Sequence, residues 1–163
     1  MTATTSTPTS STSTTSLSRL LALGAIGGMV AGAVFGGLNM WFAQSTGMPA
    51  DMPLQMIATI VQGDGAIADG SANSWLGLAV HMMLSAAFGV GLALIASRLA
   101  SNAARALAGL LYGAALYLVN FMVISPLAFA VFSDANQPLE VATHLVFGSV
   151  AVLFVLDWRT RRA

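Results

Sequence analysis

Four apolar stretches, each long enough to cross a bilayer, constrain this chain more than any other feature. They read LLALGAIGGMVAGAVFGGLNMWFA (20–43), WLGLAVHMMLSAAFGVGLALIAS (75–97), ALAGLLYGAALYLVNFMVISPLAFAVF (106–132) and LEVATHLVFGSVAVLFVLDW (139–158). About 18 or more apolar residues suffice to span the hydrocarbon of a membrane. In lipid the backbone must satisfy its own hydrogen bonds, so only helices and closed barrels cross. None of the four stretches alternates apolar and polar residues as barrel strands do. The expected fold is therefore all-α, an integral membrane four-helix bundle built of two consecutive helical hairpins. Composition agrees: 56% of the 163 residues are hydrophobic and 7% are charged, against about a quarter charged in a soluble domain. So few charges cannot cover a water-facing surface.

The ends of the chain differ from its body. Residues 1–18, MTATTSTPTSSTSTTSLS, are almost all Ser, Thr and Pro. Such a segment cannot bury enough apolar surface to offset its ordering entropy, and it is expected to be a disordered tail on a transmembrane domain covering 19–163. The apolar run after it is longer than the core of a signal peptide, and Arg19 is the single basic residue before it; a retained helix is expected. Arg19, Arg98, Arg105, Arg159, Arg161 and Arg162 fall on one side of a four-pass chain, and Asp51, Asp64, Asp69, Asp134 and Glu140 on the other, with Asp157 the exception. Arginine-rich loops stay in the cytoplasm, which puts both termini inside. Trp41 and Trp75 then mark the outer interface and Trp158 the inner one. Zero net charge and the lack of a basic cluster before the last residues argue against nucleic acid as a partner, and the lack of cysteine excludes disulfides and thiolate chemistry.

Small residues recur at helical spacing. Gly24, Gly28, Gly32 and Gly36 line one side of the first helix, Gly109 and Gly113 one side of the third, and Ser85 with Gly89 one side of the second. Such spacing lets helices approach closely, either within the bundle or across a dimer. Pro126 interrupts the third helix and frees the carbonyl of Met122, and Asn120 is placed to hydrogen-bond across the bundle. The outer loop 44–74 contains DMPLQMIATIVQ (51–62), with Asp51 as N-cap, Pro53 in the first turn and Leu54, Ile57, Ile60 and Val61 on one face. It reads as a short amphipathic helix lying in the interface over the bundle mouth. The following GDGAIADGSANS reads as a flexible linker, without the ligand density of a calcium loop.

No phosphate-binding loop, dinucleotide fingerprint, HExxH or paired intramembrane carboxylate is present, and the chain is not expected to be an enzyme. With Glu140 grouped among the outer acidic residues, no charged side chain marks an ion path within the membrane. What remains is His81 and His144, the only two histidines. Each lies about 7–9 Å below the same outer boundary at 1.5 Å per residue, on helices that run in the same direction. Three readings stay open for the pair. Two imidazoles facing each other in a bundle suit the axial positions of haem b, with Ser85 and Gly148 four residues on leaving room for a flat macrocycle, or they suit another flat cofactor such as a quinone. Met48, Met52, Met56, Met82 and Met83 are soft ligands that suit copper(I). The third reading is structural, each histidine bonding a neighbouring helix.

HMMLSAAFG, GLLYGAALYLVN and THLVFG, with an outer amphipathic segment and glycine-rich helices, resemble the small four-helix bacterial inner-membrane proteins of the YagU type and related uncharacterised families. The likeness covers roughly residues 20–157. It implies a multi-pass protein of the bacterial cytoplasmic membrane without an established reaction, and no catalytic residues carry over from it. The expected role is a packing or accessory module with a ligand site near the outer face. Its partners would be the lipid bilayer and either a second copy or another membrane protein. The alternatives are a haem b or quinone-binding redox protein, and a small permease or copper carrier acting as an oligomer.

Overall fold

The computed structural model describes residues 17–156. The expectations for residues 1–16 and for Asp157, Trp158, Arg159, Arg161 and Arg162 lie outside them, whereas Leu17 and Ser18 already belong to the first helix. The described chain is all-α. In order come α1 (Leu17–Ser45), α2 (Met52–Gln62), α3 (Gly65–Ala68), α4 (Ser74–Ala96), α5 (Asn102–Tyr117), a π-helical segment (Leu118–Ile124), α6 (Ser125–Ala128), a 3-10 turn (Ala130–Phe132) and α7 (Gln137–Leu153). Three helices, Leu17–Ser45, Ser74–Ala96 and Asn102–Ala128, are long and apolar enough to cross a membrane. The apolar α7 is shorter, at 17 residues.

Glycine decides how these helices meet. α1 and α4 run antiparallel in a ladder of small residues: Gly24 against Ala93 and Gly89, Gly28 against Ser85 and Gly89, Gly32 against Ser85, and Gly36 against His81. A Cβ on Gly24 would stand 2.7 Å from the Ala93 Cβ, and one on Gly28 would overlap the Ser85 carbonyl. α5 and α7 repeat the arrangement, with Gly109 against Gly148 and Val152, and Gly113 against the His144 backbone. The two halves share a pattern, AGAVFG (31–36) on α1 and AGLLYG (108–113) on α5. α1 also packs on α7, where Gly27 faces Ala151 and Phe154. The helices therefore lie side by side in the order α4, α1, α7, α5. α4 and α5 meet only sparsely, Tyr112 against Gly91 being one such place, and α4 meets the 118–124 segment at most sparsely. Small residues thus face inward while Ile26, Val30, Val34, Leu94, Ile95 and Leu111 face out, which is how a helical protein is organised when its solvent is as apolar as its side chains.

Two local features differ from expectation. The third apolar helix begins at Asn102, capped by Ser101 Oγ on the Ala104 N–H (3.1 Å), and ends at Ala128 rather than 132. Pro126 does not simply kink it. The helix widens over 118–124, so that the Ser125 N–H donates to the Asn120 carbonyl five residues back, and Pro126 enters a new first turn where its missing N–H costs nothing. The chain then breaks at Phe129, φ −141°. The second difference is the expected flexible linker. It contains α3, and Gln62 staples it: Gln62 Nε2 donates to the Ser71 carbonyl (3.0 Å) and Gln62 Oε1 accepts from the Asn73 N–H (2.9 Å). Asn73 in turn caps α4 at the N–H groups of Trp75 and Leu76.

α2 is docked rather than loose. Its Leu54 carbonyl packs so closely on Gly77 of α4 that any Cβ there would overlap it. Asp51 precedes the helix without capping it; its carboxylate instead accepts from Ser74 Oγ (2.7 Å) and Gln55 Nε2 (3.1 Å). The buried residues are Leu54, Ala58 and Thr59, while Val61, expected on the inner face, is exposed.

Candidate functional site

A cavity of about 860 Å³ lies under α2, among α1, α4, the 118–124 segment and the start of α7. Its walls are mostly aromatic and aliphatic, with Asn39, Ser85, Asn120 and Ser125 as scattered polar groups. Met52, Met56, Ile57 and Ile60 of α2 form its roof. The helix geometry explains the space. α1 fits tightly to both α4 and α7 through glycine, whereas α4 and the 118–124 segment meet at most sparsely, so the space beneath α2 on that side is left unfilled.

Both histidines line this cavity, and they do so differently. His81 Nε2–H donates to the Gly32 carbonyl of α1 (2.9 Å), pinning α4 to α1. His144 is 5% exposed and its Nδ1–H donates to the Glu140 carbonyl one turn back (2.7 Å). The rings make no direct contact with each other. Each instead contacts Phe35, with centroids 5.7 Å away for His81 and 4.9 Å for His144. Tyr117 and Phe121 stand edge-on to His144 from the other side, at 5.9 and 5.5 Å, and Tyr117 Oη donates to Gln137 Oε1 (2.8 Å) at the head of α7.

Glu140 is the residue whose burial sequence reasoning missed. Grouped with the outer acidic side chains, it is in fact 7% exposed, in the first turn of α7, and lines the cavity. The reason is the start of α7: Asn136 Oδ1 accepts from the Leu139 N–H (3.0 Å), which sets Glu140 one turn above His144 on the same face. Its Oε2 lies 3.9 Å from His144 Nδ1, and the carboxyl takes part in no hydrogen bond among the described residues. Among the described residues no fully occluded side-chain oxygen or nitrogen lacks a partner, so the unbonded Glu140 oxygens and His144 Nε2 keep some accessible surface, and both residues line the cavity. The spacing Glu140-x-x-x-His144 was the signal available in the sequence.

The other expected site residues separate. Met48, Met52 and Met56 line the cavity, whereas Met83 is 64% exposed on the outer side of α4 and Met82 does not line it. The five methionines therefore do not come together, and among the described residues no three His, Asp or Glu side chains cluster as a metal site. Of the two residues expected to leave room for a macrocycle, Gly148 abuts Gly109, whereas Ser85 packs on Gly32 and also lines the cavity with both histidines. The spine glycines Gly24, Gly28, Gly32, Gly109 and Gly113 pack within the chain, and Gly36 faces His81. Asn120 lines the cavity, and its carbonyl carries the π-helical bond. Comparison with family models, with curated proteins and with solved structures finds no match for the chain.

Proposed function

We propose that this chain is a four-pass protein of the bacterial cytoplasmic membrane that holds a small lipophilic molecule in the outer half of its helices. α7 serves as the fourth crossing. It is flanked along its length by α1 and α5, and its 17 residues plus the following turn approach the roughly 30 Å of hydrocarbon at 1.5 Å per residue. Orientation rests on Arg19, Arg98 and Arg105 at one end and Asp51, Asp64, Asp69 and Asp134 at the other. Exposed Trp41 and Trp75 near the acidic end suit an aromatic belt. The YagU-type resemblance agrees with this membrane.

The observation that carries the reading is Glu140 and His144, both more than nine-tenths buried and both facing a cavity of about 860 Å³. Sites for small molecules are largely apolar spaces of about 300–1,000 Å³ with a few convergent polar groups. A polar group facing apolar space without a partner is costly, and a ligand that bonds to it removes the cost. A flat organic molecule suits the walls better than haem b, because His81 Nε2 is already committed to Gly32. The role is binding, without a reaction. Titration of the protein in nanodiscs with N-phenyl-1-naphthylamine, a neutral fluorescent arene, tests it. Saturable fluorescence above that of empty nanodiscs is expected, and Ile60→Trp, which fills the roof, should remove it. Equal signals from the parent, the filled variant and empty discs would end the reading.

A further inference from the structure

We infer that the molecule held in this cavity is a lipophilic organic cation, a protonated amine or quaternary centre on an apolar body. The inference rests on the binding reading above and adds a charge to it. The ionisable side chains that line the cavity besides histidine are Glu140 and Asp134, both acidic, and no arginine is among the lining residues. Arg98 and Arg105 are at the opposite end of the helices, where Arg105 is tied to the carbonyls of Leu99 and Val155. A carboxyl this buried is stable as an anion only beside a positive charge. Among the described residues the ionisable group beside it is His144, whose Nδ1 lies 3.9 Å away and already donates to the Glu140 carbonyl. A bound cation supplies the missing charge.

The walls meet the other requirement. From Phe35 a run of rings passes through His144 at 4.9 Å to Phe121 at 5.5 Å, Phe132 at 6.2 Å and Phe129 at 6.5 Å. Phe88 and Phe147 line the same space. Aromatic faces attract a cation within about 6 Å without demanding a hydrogen-bond donor from it, which suits a bulky, weakly hydrated charge. An inorganic ion does not fit, because these walls cannot replace its hydration shell and no ligand cluster exists among the described residues. The route in fits as well. The aqueous side is roofed by α2, which Asp51 and Gly77 fasten to α4, whereas α4 and the 118–124 segment meet at most sparsely. A membrane-dissolved cation reaches Glu140 through that gap.

Tetraphenylphosphonium and tetraphenylborate have nearly the same shape and opposite charge, and equilibrium dialysis of each against protein in zwitterionic nanodiscs reads the charge directly. The phosphonium is expected to bind saturably at one per chain, and the borate no more than to empty discs. Glu140→Gln should weaken the phosphonium at least tenfold while leaving N-phenyl-1-naphthylamine bound. If Glu140→Gln does not fold, Phe121→Leu carries the test, with a several-fold loss for the phosphonium. Borate binding equal to phosphonium, or phosphonium binding unchanged in a folded Glu140→Gln, overturns the cation and leaves the cavity reading standing. Failure of the ions and the neutral arene alike removes both.

Discussion

His81 and His144 stand out in the sequence because each is a polar ring in an apolar run, and both line one cavity. The sequence could not reveal how each ring spends its protons. His81 uses Nε2–H on a neighbouring helix, and His144 uses Nδ1–H on its own. The neutral rings must therefore be opposite tautomers, which 15N chemical shifts of histidine-labelled protein distinguish. At mildly alkaline pH the spectrum should contain one Nε2–H ring and one Nδ1–H ring; two rings of one kind would break one of these bonds. Glu140 was hidden for a different reason. An acidic residue near a helix end reads as a boundary marker, and only the Asn136 cap, with α7 starting at Gln137, turns it inward. Met83 and Val61 show the reverse, apolar residues whose helix faces are turned away from the cavity.

At the level of elements, glycine spacing was legible and its partner was not. Spacing four is the same whether a glycine faces a helix of its own chain or of another copy. Backbone contact decides between them: Gly28 meets the Ser85 carbonyl, while Gly37, nine residues on, has open space around its missing Cβ. Gly28→Ala is expected to lower stability in detergent by about 1–3 kcal/mol, the usual cost of overpacking, and Gly37→Ala to leave it unchanged within about 0.5 kcal/mol. Equal effects in thermal unfolding would remove the ladder from the account. The widening at 118–124 was not legible because Pro126 predicts a disturbance without saying how the helix repairs it.

α2 offers a pH test. The hydrogen bonds from Ser74 and then Gln55 hold the Asp51 carboxyl below its ordinary value of 3.8. Its folded form binds a proton less readily than the unfolded form, so its contribution is complete above the ordinary carboxylate value. It is lost as pH falls through the lowered one. Hydrogen exchange of the α2 amides should thus be constant from neutral pH down to about 4, once corrected for the intrinsic rate, and rise below. Asp51→Ala should show the raised exchange at every pH. Exchange in that variant identical to the parent would mean that Gly77 packing alone holds α2.

For the whole molecule, charge segregation is what supports the proposed orientation. A reporter fused after Ala163 is expected to be active only in the cytoplasm, and one inserted near Gly65 only outside; the opposite pattern would move the cavity to the inner leaflet. All-α architecture and apolar spans were plain from hydropathy, because lipid leaves few other choices. The cavity was not, since it comes from an inequality between two similar hairpins. α1 closes on α7, the corresponding α4 and α5 meet only sparsely, and of the two hairpins the first alone carries a roofing helix in its loop. Pattern repeats cannot show such a difference. With two histidines in one cavity, each is also a probe of it. The most direct measurement follows the two labelled imidazoles in nanodiscs while N-phenyl-1-naphthylamine is added. The account predicts that both rings shift together along one saturating curve with a single midpoint, and that Ile60→Trp abolishes both shifts. Rings that stay still at saturating arene, or that move with different midpoints, would contradict a single ligand site shared by His81 and His144.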